Sequence, residues 1–182
     1  MRHLWSRGIV AVCMLLQCSS LAFASDGSAW RLHSRGLGPI AIGMTIGEAS
    51  RVSQVQFEQF GLPPEPATFC TYYRGKLAGQ VIEVRVIEDR IDRIEVSAPE
   101  FSTLSGVKVG DSIEHVRQVY GKALSVEPHH YLADQGVVLM VLGPYGSEEA
   151  GYGVAFTASS DKGVTEIWVG RYSGIRESEG CS

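Results

Sequence analysis

Cysteine, histidine and long apolar runs are scarce in this 182-residue chain, and each scarcity removes a class of function. Two of the four cysteines, Cys13 and Cys18, fall within the first twenty residues, leaving Cys70 and Cys181. The chain has no Cys-x-x-Cys pair, which argues against a zinc site or a dithiol redox centre. No histidine follows His130, so a hydrolase with a C-terminal histidine base is not supported. No apolar stretch approaches the ~20 residues of a membrane helix. No long run of one charge sign suggests an interaction tail.

The N-terminus reads as an export leader. Arg2 and Arg7 provide the positive region, Ile9 to Leu16 a short apolar core, and Ala22-Phe23-Ala24 a small-x-small cleavage site. Cys18 follows Leu15-Leu16-Gln17, not the small residues that precede an acylated cysteine, so a lipoprotein form is the lesser reading. Removing Arg2 and Arg7 leaves 14 basic against 20 acidic residues, a net charge near −6. That balance argues against nucleic acid or an anionic membrane as partner. In an oxidising compartment Cys70 and Cys181 most simply pair.

The chain carries an internal repeat. Residues 40–52 align without a gap on residues 107–119, at an offset of 67. Ile40 meets Val107, Ile42 meets Val109, Gly43 meets Gly110, Thr45 meets Ser112 and Ile46 meets Ile113. The glycine permits a sharp turn. The hydroxyl then sits where a helix N-cap belongs, and Thr45 with Glu48 spells a capping box. Positions 46, 49, 52 and 113, 116, 119 recur every three residues, as one helix stripe would.

Gly110-Asp111-Ser112-Ile113 also looks like the nucleophile block of the Gly-Asp-Ser lipases and esterases. A serine nucleophile needs a histidine base and a group to orient it. The recurrence of the hydroxyl as Thr in one copy and Ser in the other fits a cap better than a nucleophile. A serine hydrolase using Ser112 is the alternative from another class.

Two alternating hairpins come after the helices. Gln80–Ile87 and Ile91–Ser97 surround a turn at Glu88-Asp89-Arg90; Tyr152–Ala158 and Val164–Gly170 surround Ser159–Gly163. Glu83, Arg85, Arg93 and Glu95 fall opposite the apolar face, where cross-strand charge pairs are expected. Asp134-Gln135-Gly136 reads as a further hairpin turn. Residues 1–24 are then leader, 25–99 a first helix-sheet repeat, and 100–182 a second with a C-terminal tail.

Gly43-Met44-Thr45 opening a short helix, with a meander and a second copy behind it, resembles a known scaffold. It is similar to the helix-plus-sheet repeat of the secreted β-lactamase inhibitor proteins. It is also similar to that of the small outer-membrane-assembly lipoproteins of the SmpA/OmlA type. The resemblance implies an α+β fold of two tandem helix-plus-antiparallel-meander repeats, with helices on one face of the sheet. It also implies that the open sheet face and its loops bind protein. The second copy departs by reading Gly-Asp-Ser.

Candidate chemistry is sparse. His129-His130 points to opposite faces of a strand and reads as turn or surface histidine. No motif asks for a cofactor or metal. The aromatics stand out: Trp168 should face away from the helices, in the place of Glu95, with Tyr72, Tyr131 and Tyr145 in the same general region. Such residues either anchor a partner or pack beneath a tail returning so that Cys181 reaches Cys70. The expectation is a non-enzymatic periplasmic or secreted protein-binding module, inhibitor- or immunity-like. An envelope-assembly accessory is the second version.

Overall fold

The computed structural model describes residues 30–61, 70–147, 149–177 and 180–181. The leader, Cys18 and the prolines of 62–67 lie outside the described residues. From Trp30 the chain forms β1 (Arg31–His33), β2 (Gly36–Leu37), β3 (Ile40–Ala41), α1 (Ile46–Ser53) and β4 (Phe57–Phe60). Then come β5 (Cys70–Leu77), β6 (Gln80–Ile87), β7 (Arg90–Val96), β8 (Ser102–Thr103) and α2 (Ile113–Tyr120). The last strands are β9 (Leu124–Pro128), β10 (Val137–Tyr145), β11 (Tyr152–Ser159) and β12 (Gly163–Arg171).

Local chemistry sets both helix starts. Gly43 and Gly110 turn the chain at φ of 92° and 93°, a region open to glycine at no steric cost. Each glycine N–H then donates across the fold at 2.8 Å, Gly43 to the Ile91 carbonyl and Gly110 to the Val164 carbonyl. Ile91 and Val164 return the bond, to the carbonyls of Met44 and Asp111. Thr45 caps α1 by accepting the Glu48 N–H, and the Glu48 carboxylate accepts the Thr45 N–H, closing a capping box. Ser112 caps α2 by accepting the His115 N–H at 3.1 Å. Asp111, just before that cap, accepts the Lys108 N–H. Ala49 and Val116 are fully buried at the centres of the two stripes, while Val52 at the end of α1 is exposed.

The α+β expectation of two helix-plus-meander repeats does not hold. Among the described residues strands dominate, the two α-helices are eight residues each, and the strands build two sheets. One sheet has four strands, in the order β3-β2-β1-β8. It uses stretches within residues 31–41 together with Ser102–Thr103. Short Gly-punctuated segments are too brief to show period-two alternation, so this sheet was illegible. The other sheet has eight strands, in the order β4-β5-β6-β7-β12-β11-β10-β9. The seam is the antiparallel pairing of β7 with β12, Val96 opposite Ile167 and Ile94 opposite Val169. Separate units would leave those two strands as open edges; pairing them satisfies both and pools the apolar faces in one core.

A bulge in each half keeps the apolar face continuous. Ile91 and Ile94 are three residues apart yet both fully buried, which plain period-two alternation forbids. The register shift between Arg85 and Val86 leaves Asp92 as the extra residue and restores the phase. Val164 and Ile167 repeat the arrangement, with Thr165 extra at the shift between Thr157 and Ala158. The turn Glu88-Asp89 has positive φ at both residues, as a two-residue type I′ hairpin needs. The β9–β10 connection is longer than the expected hairpin turn, with a short helical turn at Ala133–Gln135 ending at Gly136.

Thr45→Ala removes half of a reciprocal pair and should cost about 1–2 kcal/mol. Ser112→Ala removes a single cap bond and should cost about 0.5–1 kcal/mol. Urea denaturation of the two variants against the unsubstituted protein measures both.

Candidate functional site

The face of the large sheet turned away from the helices carries the unusual chemistry. Cross-strand register lines up Tyr72, Arg85, Arg93, Gly170 and Gly153 in one row. The next row runs Glu58, Arg74, Glu83, Glu95, Trp168, Ala155 and Val141. The first half of this face is charged and aromatic. The second half is small or apolar, and Trp168, Leu139, Val141, Ala155 and Ile175 form a cluster of their own, with Tyr172 against it.

Arg93 ties these rows together although its side chain is only 2 % exposed. Its Nε donates to Glu95 Oε1 at 2.8 Å, and Nη2 lies 2.8 Å from the same oxygen. Nη2 also donates to the Tyr72 hydroxyl at 2.7 Å. Nη1 donates to the carbonyls of Gly174 and Glu177, at 2.7 and 2.8 Å. The guanidinium lies 4.3 Å from the Trp168 ring centroid, in cation–π contact. Neighbouring Arg85 is equally buried, bonded to Asp92 at 2.6 Å and to Glu177 at 3.1 Å. Asp92 is available there because the bulge turns the extra residue onto this face. Burial opposes the charge on Arg85, but Asp92 and Glu177 outweigh it and raise its pKa.

The segment after β12 is thus the occupant of this face. Ile175 is fully buried, and Cys181 is bonded to Cys70 on β5, closing a separation of 111 residues. Gly153 makes room for this return: a Cβ there would come 2.5 Å from Ile175 Cδ1 and 3.2 Å from Tyr172, as well as 2.5 Å from the Leu142 carbonyl of β10. A Cβ on Gly170 would instead strike the Asp92 carbonyl of the neighbouring β7. A Cβ on Gly143 would meet Tyr172 at 3.2 Å. Glycines in strand interiors signal close approach of another chain segment. For the returning segment that signal was present in the sequence at 143 and 153, and the reading by aromatics did not use it.

The four aromatic candidates therefore divide. Tyr72 and Trp168 are brought together on Arg93, and Trp168 is only 6 % exposed. Tyr131 and Tyr145 are exposed, but Tyr145 is the last residue of β10 and Tyr131 lies before its start. Eight residue steps of β10 separate Val137 from Tyr145, roughly 26 Å at the usual strand rise. Tyr131 packs edge-on against His130. His129 is buried and accepts the Tyr131 N–H on Nδ1; burial lowers its pKa, with His130 adding to the effect. Among the described residues no group of three or more His, Cys, Asp or Glu could hold a metal ion. None of the described helices is long and apolar enough to cross a membrane.

Tyr145 gains company that the sequence does not reveal. It lines a cleft of about 190 Å3 between the two sheets, with Leu32, Leu142 and Val154 among the apolar lining and Leu104 beside it. Leu104 is 70 % exposed and Tyr145 52 %. Thr103, also in the lining, accepts from the Tyr120 hydroxyl and the Val107 N–H, which fixes the wall.

Electrostatics separate the two halves of the outer face. Glu83 sits directly opposite Glu95, with Glu166 close by on β12. Burial raises the pKa of Glu83 and of Glu166, and the Glu95 charge adds to both. Burial, with Glu95 adding, pushes the Tyr72 phenol up to about 12 against the pull of Arg93 and Arg85.

Arg93→Ala leaves Glu95 and two tail carbonyls without their buried donor and should destabilise the fold by about 3–5 kcal/mol in urea denaturation. The unfolded Tyr72 phenol ionises near pH 10 and the folded one only near 12. Stability should therefore fall as pH rises from 10 to 12, and Tyr72→Phe should flatten that fall. Denaturation midpoints at stepped alkaline pH read the difference.

No protein-family model matches this chain, and no curated protein matches its sequence. Among solved structures it is similar to the crystal structure of the uncharacterized protein YfeY from Escherichia coli. The identity is 14 % and the TM-score 0.50, over 78 % of this chain and 99 % of that one. The likeness is one of fold.

Proposed function

We propose that the chain is a non-enzymatic protein-binding module of the periplasm or the secreted fraction, acting as an inhibitor- or immunity-like partner of an envelope enzyme. The observation that carries this reading is the exposed pair Leu104 and Tyr145 at the mouth of an apolar cleft. Large exposed side chains beside a concave apolar floor are how interfaces anchor a partner, with one inserted side chain supplying much of the energy. A volume of about 190 Å3 suits one bulky side chain better than a free metabolite, which needs ~300 Å3 or more. The leader-like N-terminus and the Cys70–Cys181 bond support an oxidising compartment. Ser112 serves as the cap of α2, and its oxygen is already engaged with the His115 N–H.

The test is capture from an envelope extract by the immobilised protein. Leu104→Ser with Tyr145→Ser should reduce recovery of the captured protein at least tenfold, while Tyr131→Ser leaves it unchanged. Both variants are at the surface and should keep the urea midpoint. Equal recovery by the double variant would overturn this assignment of the contact.

A further inference from the structure

The two outer edges of the eight-stranded sheet are β4 and β9, and they are not equally guarded. His129 N–H donates inward to Val137. Backbone groups alternate sides along an antiparallel strand, so the preceding Pro128 presents its nitrogen outward. That nitrogen has no hydrogen to offer, and a proline at this place is a standard block to edge pairing. β4 contains no proline, and among the described residues no strand lies on its outer side. Glu58 and Gln59 are exposed although they point to opposite faces, so β4 is wetted on both faces as well as along its edge.

Beside this edge runs a groove of about 530 Å3 lined by Gln54, Gln56, Glu58, Arg74, Lys76 and Val81. Arg74 is committed, lying 3.8 Å over the Phe60 ring and 3.4 Å from Glu83. Lys76 is exposed and makes no ion pair or side-chain hydrogen bond among the described residues. Val81, its cross-strand partner, is 42 % exposed.

We infer that the edge of β4 takes up an extended segment of a partner protein by strand addition, with an acidic side chain of that segment over Lys76. The backbone edge supplies N–H and C=O groups that have no strand partner among the described residues, and these fit another extended backbone and little else. The groove selects among extended segments: Lys76 on β5 lies two strand spacings, about 10 Å, from an added strand, a gap that a glutamate and a lysine side chain close together. The inference rests on the reading of the chain as a protein-binding module and places a second contact far from the Leu104–Tyr145 cleft in the strand order.

The probe is a fluorescein-labelled six-residue peptide of alternating valine and glutamate, with a valine–lysine peptide as its counterpart, titrated into the disulfide-intact protein. The valine–glutamate peptide should bind at least tenfold more tightly, and Lys76→Glu, a surface change, should reverse that order. Amide exchange should slow at Phe57–Phe60 in the complex and stay unchanged at Leu124–Pro128. Proline placed singly at Glu58 and at Gln59 tests both sides of the strand, and at least one should abolish binding. No binding, equal binding of the two peptides, or protection confined to β9 would each overturn the inference. Loss of the edge result with intact capture through Leu104 and Tyr145 sinks the edge alone. The opposite pattern sinks the cleft.

Discussion

The Arg93 guanidinium holds this structure's outer face together. A buried cation is costly unless its charge and its donors are met. Here one side chain reaches Glu95 on its own strand, Tyr72 two strands away, the Trp168 ring across the seam, and two carbonyls of the returning tail. The first half of the chain, the second half and the C-terminal segment therefore converge on one planar group. A lysine has the charge but not the fork, and could not serve five directions at once.

Around that group the molecule resolves into two different surfaces. The helix-side face of the sheet is sealed by ordinary apolar packing, from Ile82 and Ile94 across the seam to Ile167 and Phe156. The outer face is held by ions, rings and a disulfide beneath a short strap of chain. Most of what looks reactive there is already engaged in holding the strap. What stays open lies at the cleft between the sheets and at the β4 end of this face, away from the strap. A binding reading placed at those sites does not compete with the fold for the same side chains.

Much of the local structure was legible in the sequence. Gly43-Met44-Thr45 and Gly110-Asp111-Ser112 announced two turns and two caps, because the requirements for φ and for a side-chain acceptor are local. The alternation of 80–87 and 91–97 announced a hairpin for the same reason. The joining of β7 to β12 was not announced, since pairing between strands more than seventy residues apart leaves no local mark. The Ile91–Ile94 and Val164–Ile167 spacings did carry a mark, being one residue too long for a plain strand, and they encode the bulges. At the site, the direction of Trp168 followed from alternation, but its burial did not. Burial depended on where the chain after β12 travels, and the sequence traces of that path were the Cys70–Cys181 pair and the glycines at 143 and 153 inside strands. The partnership of Leu104 with Tyr145 joins the turn after β8 to the end of β10 through the tertiary fold and had no trace at all.

Those glycines have a consequence for sequence drift. A methyl at Gly153 would press on Ile175 of the strap and equally on the Leu142 carbonyl of the neighbouring β10, and one at Gly170 would press on the Asp92 carbonyl of β7. At the first position strap and strand close on the same missing methyl; at the second the neighbouring strand alone does so. Drift at both is therefore held by the sheet's own pairing, and the cover over Trp168 and the paired arginines is inherited along with it.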